Sequence, residues 1–205
     1  MTTAPTRSTG RRRNPATRAA ILATAFDVVA ELGYAGLTIE KVAARAGVGK
    51  QTIYRWWPGK GALVLDAVLE RTTGAGDEAA ELPDTGDLEA DLAAVLVATV
   101  QELTDPAFDR ALRGLTAAIV EDAELARLYQ ERLDGPMREL KKRRLRRAQE
   151  AGQLDPEVDL DVAVDLVFAP VAQRWSERSG LLTPEVARTV VRHALRGLAT
   201  PTPPR

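Results

Sequence analysis

A chain of 205 residues with a formal net charge of −1 is long enough for one or two small domains with a real core. It contains no cysteine, which excludes disulfides and thiolate metal sites and suits a reducing cytoplasm. Its N-terminus carries no apolar run, and its most apolar window, Ala93–Val100, is far too short to cross a bilayer, so a cytoplasmic protein with no membrane partner is expected.

Met1–Arg13 is rich in Thr, Pro, Ser and Arg and nearly free of apolar residues, so a disordered arm is expected. Arg7, Arg11, Arg12, Arg13 and Arg18 all precede the first acid, Asp27. Such an arm either lies along phosphates or a minor groove, or simply solubilises the chain. Residues 1–60 hold ten Lys or Arg against three acids, a net of +7, which leaves −8 for the remainder. A basic front on an acidic body favours oriented approach to a polyanion.

Asn14-Pro15 reads as an N-cap followed by proline at the first helical position. Ile21, Leu22, Ala25, Phe26, Val29 and Leu32 then trace a helical stripe that ends at Gly33. Tyr34, Trp56 and Trp57 are expected to complete a small core around Phe26. Thr38 can cap a second, short helix whose Ile39, Val42, Ala43 and Ala46 share one face. Gly47 stops it by entering the left-handed conformation, Val48 plugs the hinge, and a third helix begins near Lys50 with Ile53 and Trp56 inward.

This spacing is that of a helix-turn-helix: a small alanine lets two helices approach and a glycine makes the sharp turn. The third helix leaves Lys50, Gln51, Thr52, Tyr54 and Arg55 outside, a set of donors, cations and an aromatic suited to phosphates and base edges. Two short amphipathic helices around a glycine also occur in proteins that bind nothing, so the spacing alone leaves that reading open.

Pro58-Gly59 breaks the third helix, and Lys60 to about Arg71 forms a fourth that ties a head, residues 1–62, to a body, residues 63–205. Lys60, near that helix's N-terminus, is placed to meet a phosphate. Thr72–Asp87 reads as a loop. Helices then follow over Leu88–Leu103, Asp105-Pro106 to about Val120, Glu121–Leu133, Gly135-Pro136 to Ala151, Asp159–Arg178 and Thr183-Pro184 to Leu198, with Pro201–Arg205 a loose end. No alternating strand pattern appears, so the fold class is all-α. Arg138–Arg147 holds seven cations in ten residues, which fits a solvated face, a docking surface for acidic helices of the same chain, or a second DNA contact. Pro170 in mid-helix should kink its helix. Val162, Ala163, Leu166, Val167 and Val171 line the penultimate helix, and Val186, Ala187, Val190, Val191, Ala194, Leu195 and Leu198 line the last. Stripes this wide fit either burial within one subunit or packing against a second copy.

Tyr54-Arg55-Trp56-Trp57, then Lys60 and Leu63, resembles the signature of the tetracycline-repressor (TetR) family of bacterial transcription regulators. Thr38–Val48 looks like that family's second helix and turn, and the resemblance covers roughly residues 15–70. Gly49 stands where the family usually has serine, and Trp56 where it usually has histidine or tyrosine.

The resemblance implies a homodimer paired through its last two helices, binding a near-palindromic double-stranded DNA operator, most often as a repressor. Carried over residue by residue, it makes Lys50, Gln51, Tyr54 and Arg55 the candidates for base or backbone contact. Thr38, Thr52 and Lys60 then grip phosphates, and Trp56 straddles core and groove edge. It also implies an unknown small-molecule effector bound among the helices of the body. Phe108, Leu112, Tyr129, Phe168 and Trp175 are the residues expected around that ligand, since a pocket needs apolar lining with few polar anchors.

His193 is the only histidine and has no catalytic motif around it; no glycine-rich phosphate loop follows a strand, and no metal site or cofactor is expected. The expectation is therefore a regulator rather than an enzyme. A helical ligand-binding or scaffolding dimer with a vestigial DNA-binding domain is the competing reading.

Overall fold

The computed structural model describes residues 14–73 and 81–198, and every regular element among them is helical. The expected arm, residues 1–13, the loose end, residues 201–205, and part of the expected loop lie outside the described residues.

Helix α1 spans Pro15–Gly36, with Asn14 Oδ1 accepting from the Ala16 amide at 3.0 Å. The helix changes direction at Gly33, whose φ is +72°, and continues for one more turn rather than ending there. By length and composition α1 is apolar enough to cross a membrane, so the expectation that no such stretch exists needs correcting. Its apolar side chains are nevertheless spent inside the protein: Ile21, Leu22, Ala25, Phe26, Val28 and Val29 are all buried. With Leu37, Val42, Ile53 and Trp57 they form the core of the head. Each buried Val, Leu, Ile or Phe side chain among them stabilises the fold by about 1.5–3 kcal/mol. Tyr34 and Trp56 pack only on the edge of this core, half-buried, and Trp57 is the aromatic sealed within it.

Helix α2, Ile39–Arg45, is capped by Thr38, whose hydroxyl accepts from the Lys41 amide at 3.3 Å. Gly47 turns the chain at φ +65°, a conformation that costs a side-chain-bearing residue energy. Helix α3, Lys50–Tyr54, follows, and helix α4, Lys60–Thr73, runs from the head into the body.

The body comprises α5 (Leu88–Thr104), α6 (Pro106–Glu121), α7 (Ala123–Tyr129), α8 (Gly135–Glu150), α9 (Leu160–Glu177) and α10 (Pro184–Leu198). Helix α1 lies along α6, α4 touches α6 and α7, and α10 packs on α5 and α9. Two contacts fasten α1 to α6. Phe26 and Phe108 stack with ring centroids 6.5 Å apart, and Arg110 Nη1 donates to the carbonyls of Ala30 and Glu31 at 2.8 and 3.0 Å. The guanidinium thus satisfies two carbonyls near the break in α1.

Between α7 and α8 the chain does not stop, as the Gly135-Pro136 pair suggests; it widens into a π turn, Gln130–Asp134. Pro136 has no N–H to give the carbonyl four residues back, and the Gly135 amide bonds instead to Gln130 O, five residues back. A Cβ on Gly135 would sit 2.8 Å from that same oxygen, so the close approach needs glycine.

The basic run on α8 is a docking surface for acidic parts of the same chain. Arg138 pairs with Asp161 and Asp165, Lys142 with Asp161, and Arg147 with Glu81. Arg144 is buried: it donates to Asp91 Oδ2 at 2.8 Å and to the Pro83 carbonyl at 2.7 Å. Asp91 also accepts from the Thr85 amide and hydroxyl. Arg143 and Arg146 remain exposed.

Candidate DNA-binding face and effector cavity

Helix α3 is held by one buried side chain, Ile53, and presents the rest of its surface outward. Lys50, Gln51, Tyr54 and Arg55 are exposed and Thr52 is half-buried. Among the described residues, the side chains of Gln51, Tyr54 and Arg55 make no hydrogen bond or ion pair, so their polar atoms face solvent without internal competition. Lys50 differs, because its ammonium lies 3.0 Å from Glu40 Oε1 on α2. The Glu40 carboxyl sits below its ordinary value, first through its own backbone amide and then through Lys50. Arg45 is tied to Glu31 by two bonds of 2.6 and 2.7 Å.

Thr38 is exposed beside this face, with its hydroxyl engaged as the α2 cap. Gly49 is the N-cap of α3 and supplies no side-chain bond, so the α3 N-terminus keeps free amides. Trp56 lies half-buried with its ring 6.0 Å from that of Trp57. Lys60 turns inward: its ammonium is 3.3 Å from the Tyr34 carbonyl and 4.4 Å over the Tyr34 ring. To reach a phosphate it must leave that seat.

A buried carboxylate joins this head to the body. Asp66 on α4 accepts from Trp57 Nε1 at 2.9 Å, from Arg18 of α1 at 3.1 Å and from Arg132 of the π turn at 3.0 Å. Nothing in the apolar sequence around Asp66 marks it as such a junction; its two arginine partners stand 48 and 66 positions away.

The neighbours of Arg132 belong to a cavity of about 340 Å³ between α4, α5, α6, α8 and α9. Phe108, Leu112, Tyr129 and Phe168 all line it, together with Leu133 and Met137. Trp175 does not. Its indole donates to Asp109 Oδ1 at 2.7 Å, and Arg113 sits 4.5 Å over its ring while donating to its carbonyl. These bonds fix it between α6 and α9, outside the lining. Residues on either side of Pro170 (Phe168, Ala169, Val171 and Ala172) form one wall. Glu102, Asp134, Arg138, Lys141 and Asp165 supply the charge, and the sequence alone points to none of the five as lining. Among the described residues no group of His, Cys, Asp or Glu is arranged to hold a metal ion.

Residues 21–67 match the model of the bacterial regulatory proteins of the tetR family, and residues 82–194 match that of a tetracyclin repressor-like C-terminal domain. The chain belongs to the TetR family. YdeS of Bacillus subtilis, described as an uncharacterized HTH-type transcriptional regulator, is 31% identical over 189 residues, 92% of this chain and 93% of that one. A TetR-named DNA-binding transcriptional repressor of Mycobacteroides abscessus is 38% identical over 78 residues, 38% of this chain and 40% of its own. The crystal structure of the TetR family transcription regulator SCO0332 superposes with a TM-score of 0.76 at 35% identity, covering 90% of this chain and 99% of that one. A TetR-family chain with an exposed helix-turn-helix is a DNA-binding transcriptional regulator, and its relatives point to regulation rather than enzymatic turnover.

Proposed function

We propose that the protein is a homodimeric repressor that holds a near-palindromic operator and releases it when a small molecule fills the body cavity. The observation that carries this is the free outer face of α3, where Gln51, Tyr54 and Arg55 stand exposed with no internal partner. Two such helices related by a two-fold axis enter successive major grooves about 34 Å apart. Lys50, once released from Glu40, and Thr38 and Thr52 at the edge serve the phosphates. The free amides at the α3 N-terminus do the same. The protein acts in the cytoplasm, where its operator is.

A second copy is supported by apolar surface that one subunit does not bury. On α9, Val162 and Leu166 remain 54% and 48% exposed, while Ala163, Val167 and Val171 turn inward. On α10, Val186, Val190, Ala194 and Leu195 are only half-buried. Release follows if a ligand prefers the conformer with misplaced recognition helices; operator affinity then falls by that preference and no more. Asp66 provides the mechanical link, since Arg132 stands in the π turn beside lining residues and Trp57 stands at the end of the recognition segment.

Replacing Tyr54 by alanine tests the assignment. Operator affinity should drop about tenfold or more, the scale of a lost base or phosphate contact, with no change in thermal stability or dimerisation. Unchanged affinity removes Tyr54 from the interface and leaves the vestigial-domain reading ahead.

A further inference from the structure

One cation in the cavity is unaccounted for. Lys141 lines it, and its ammonium lies 4.2 Å over the ring of Phe168, another lining residue. Three of its neighbours on α8 are engaged with carboxylates: Arg138 with Asp161 and Asp165, Lys142 with Asp161, and Arg144 with Asp91; Arg143 and Arg146 face solvent. Among the described residues, Lys141 alone of these four makes no ion pair or hydrogen bond. Asp165 is already held by Arg138 at 2.5 Å, and Asp134 acts on Lys141 only from a distance. Burial is the largest influence on this lysine and pushes it below its ordinary value, with Asp134 and Asp165 pulling up and Arg138 pulling down. Asp134 and Glu102 are the other lining charges without a direct partner; Glu102 is open to solvent and has Arg71 as its electrostatic neighbour.

An ammonium part-buried against apolar walls, with no carboxylate in direct contact, is stabilised by a ligand that brings one to it. We propose that the effector is an amphipathic monoanion whose carboxylate pairs with Lys141. Its apolar body lies along Phe108, Leu112 and Phe168, which supply the affinity while the ion pair fixes orientation. This rests on the cavity being the effector site and goes further only in naming the ligand's chemistry.

Three probes of one size separate the possibilities: octanoate, 1-octanol and octylammonium, titrated calorimetrically into the full-length protein and into Lys141→Met, which keeps the unbranched stem. The expected result is octanoate binding about tenfold or more tightly than the other two, the scale of one charge-assisted contact. In Lys141→Met octanoate and octanol should become equal, with an unchanged melting temperature. Octanol binding as well as octanoate, octylammonium binding tightest, or an octanoate preference that survives in Lys141→Met overturns the ligand class and leaves the cavity as a site. Binding of none of the three at millimolar concentration overturns both, and operator binding in the same preparation stands as an independent readout.

Discussion

Arg132 reaches Asp66 across the joint between body and head, its Nη1 3.0 Å from Asp66 Oδ1. The other oxygen of the same carboxylate holds Trp57 Nε1 and Arg18, so one buried group joins the π turn, the recognition segment and α1. Arg132 itself is nearly half exposed, so its pair should contribute little to stability, about 0–1 kcal/mol. On the proposed mechanism, this pair carries the effector signal from body to head.

Arg132→Ala should therefore leave operator affinity within about threefold of the parent, in line with the modest worth of an exposed pair. The loss of affinity caused by effector should shrink. Asp66→Asn, which strips charge from a group serving three donors, should lower stability by about 1–3 kcal/mol as well. Operator titrations of both variants with and without octanoate measure this. An Arg132→Ala protein that responds like the parent assigns the coupling to another route, such as the Arg110 contacts to α1.

The buried pair of Arg144 and Asp91 makes a different prediction. Removing one partner leaves a buried charge uncompensated, so Arg144→Met should cost about 3–5 kcal/mol. Burial pushes the Asp91 carboxyl up, but Arg144 and the two Thr85 donors outweigh it and hold it below its ordinary unfolded value. A carboxyl depressed in the folded state contributes stability fully above that unfolded value and loses it as pH falls through the folded one. Denaturant melts from pH 7 down to about 3 should show the gap between parent and Arg144→Met closing only in the most acid samples. A gap constant across that range contradicts the linkage.

Much of the head was legible because its determinants are local. The Thr38 cap, the left-handed Gly47 and the inward Ile53 all act within a few residues, and each occupies its expected place. The basic run was legible as charge but not as architecture, because its partners Glu81, Asp91 and Asp161 are brought to it only by tertiary folding. The π turn was hidden by a Gly-Pro pair that reads as a stop; in the structure that pair widens the helix and lets the chain continue. Trp175 reads in the sequence as a large apolar ring for the cavity, whereas its indole N–H and ring face are taken by Asp109 and Arg113. Lys141 is hidden among its neighbours, since nothing in the run RELKKRRLRR distinguishes the cation that folding turns unpaired into the cavity.

The outward stripe of α9 can be tested with a single charge. Leu166→Glu places a carboxylate in the middle of the surface assigned to a second copy, where its desolvation opposes association. Because Leu166 is half exposed in one subunit, the fold itself should lose less than about 1 kcal/mol. Sedimentation should show a monomer with native helicity, and operator binding should fall with it. A variant that remains dimeric moves the interface elsewhere.

The central claim is that two copies of the α3 face read DNA at a fixed separation, and selection of bound sequences from random duplexes measures it most directly. The prediction is enrichment of two inverted half-sites spaced by about 10 base pairs or a multiple of that turn, lost in Tyr54→Ala. No enrichment, or enrichment equally strong in Tyr54→Ala, would contradict it.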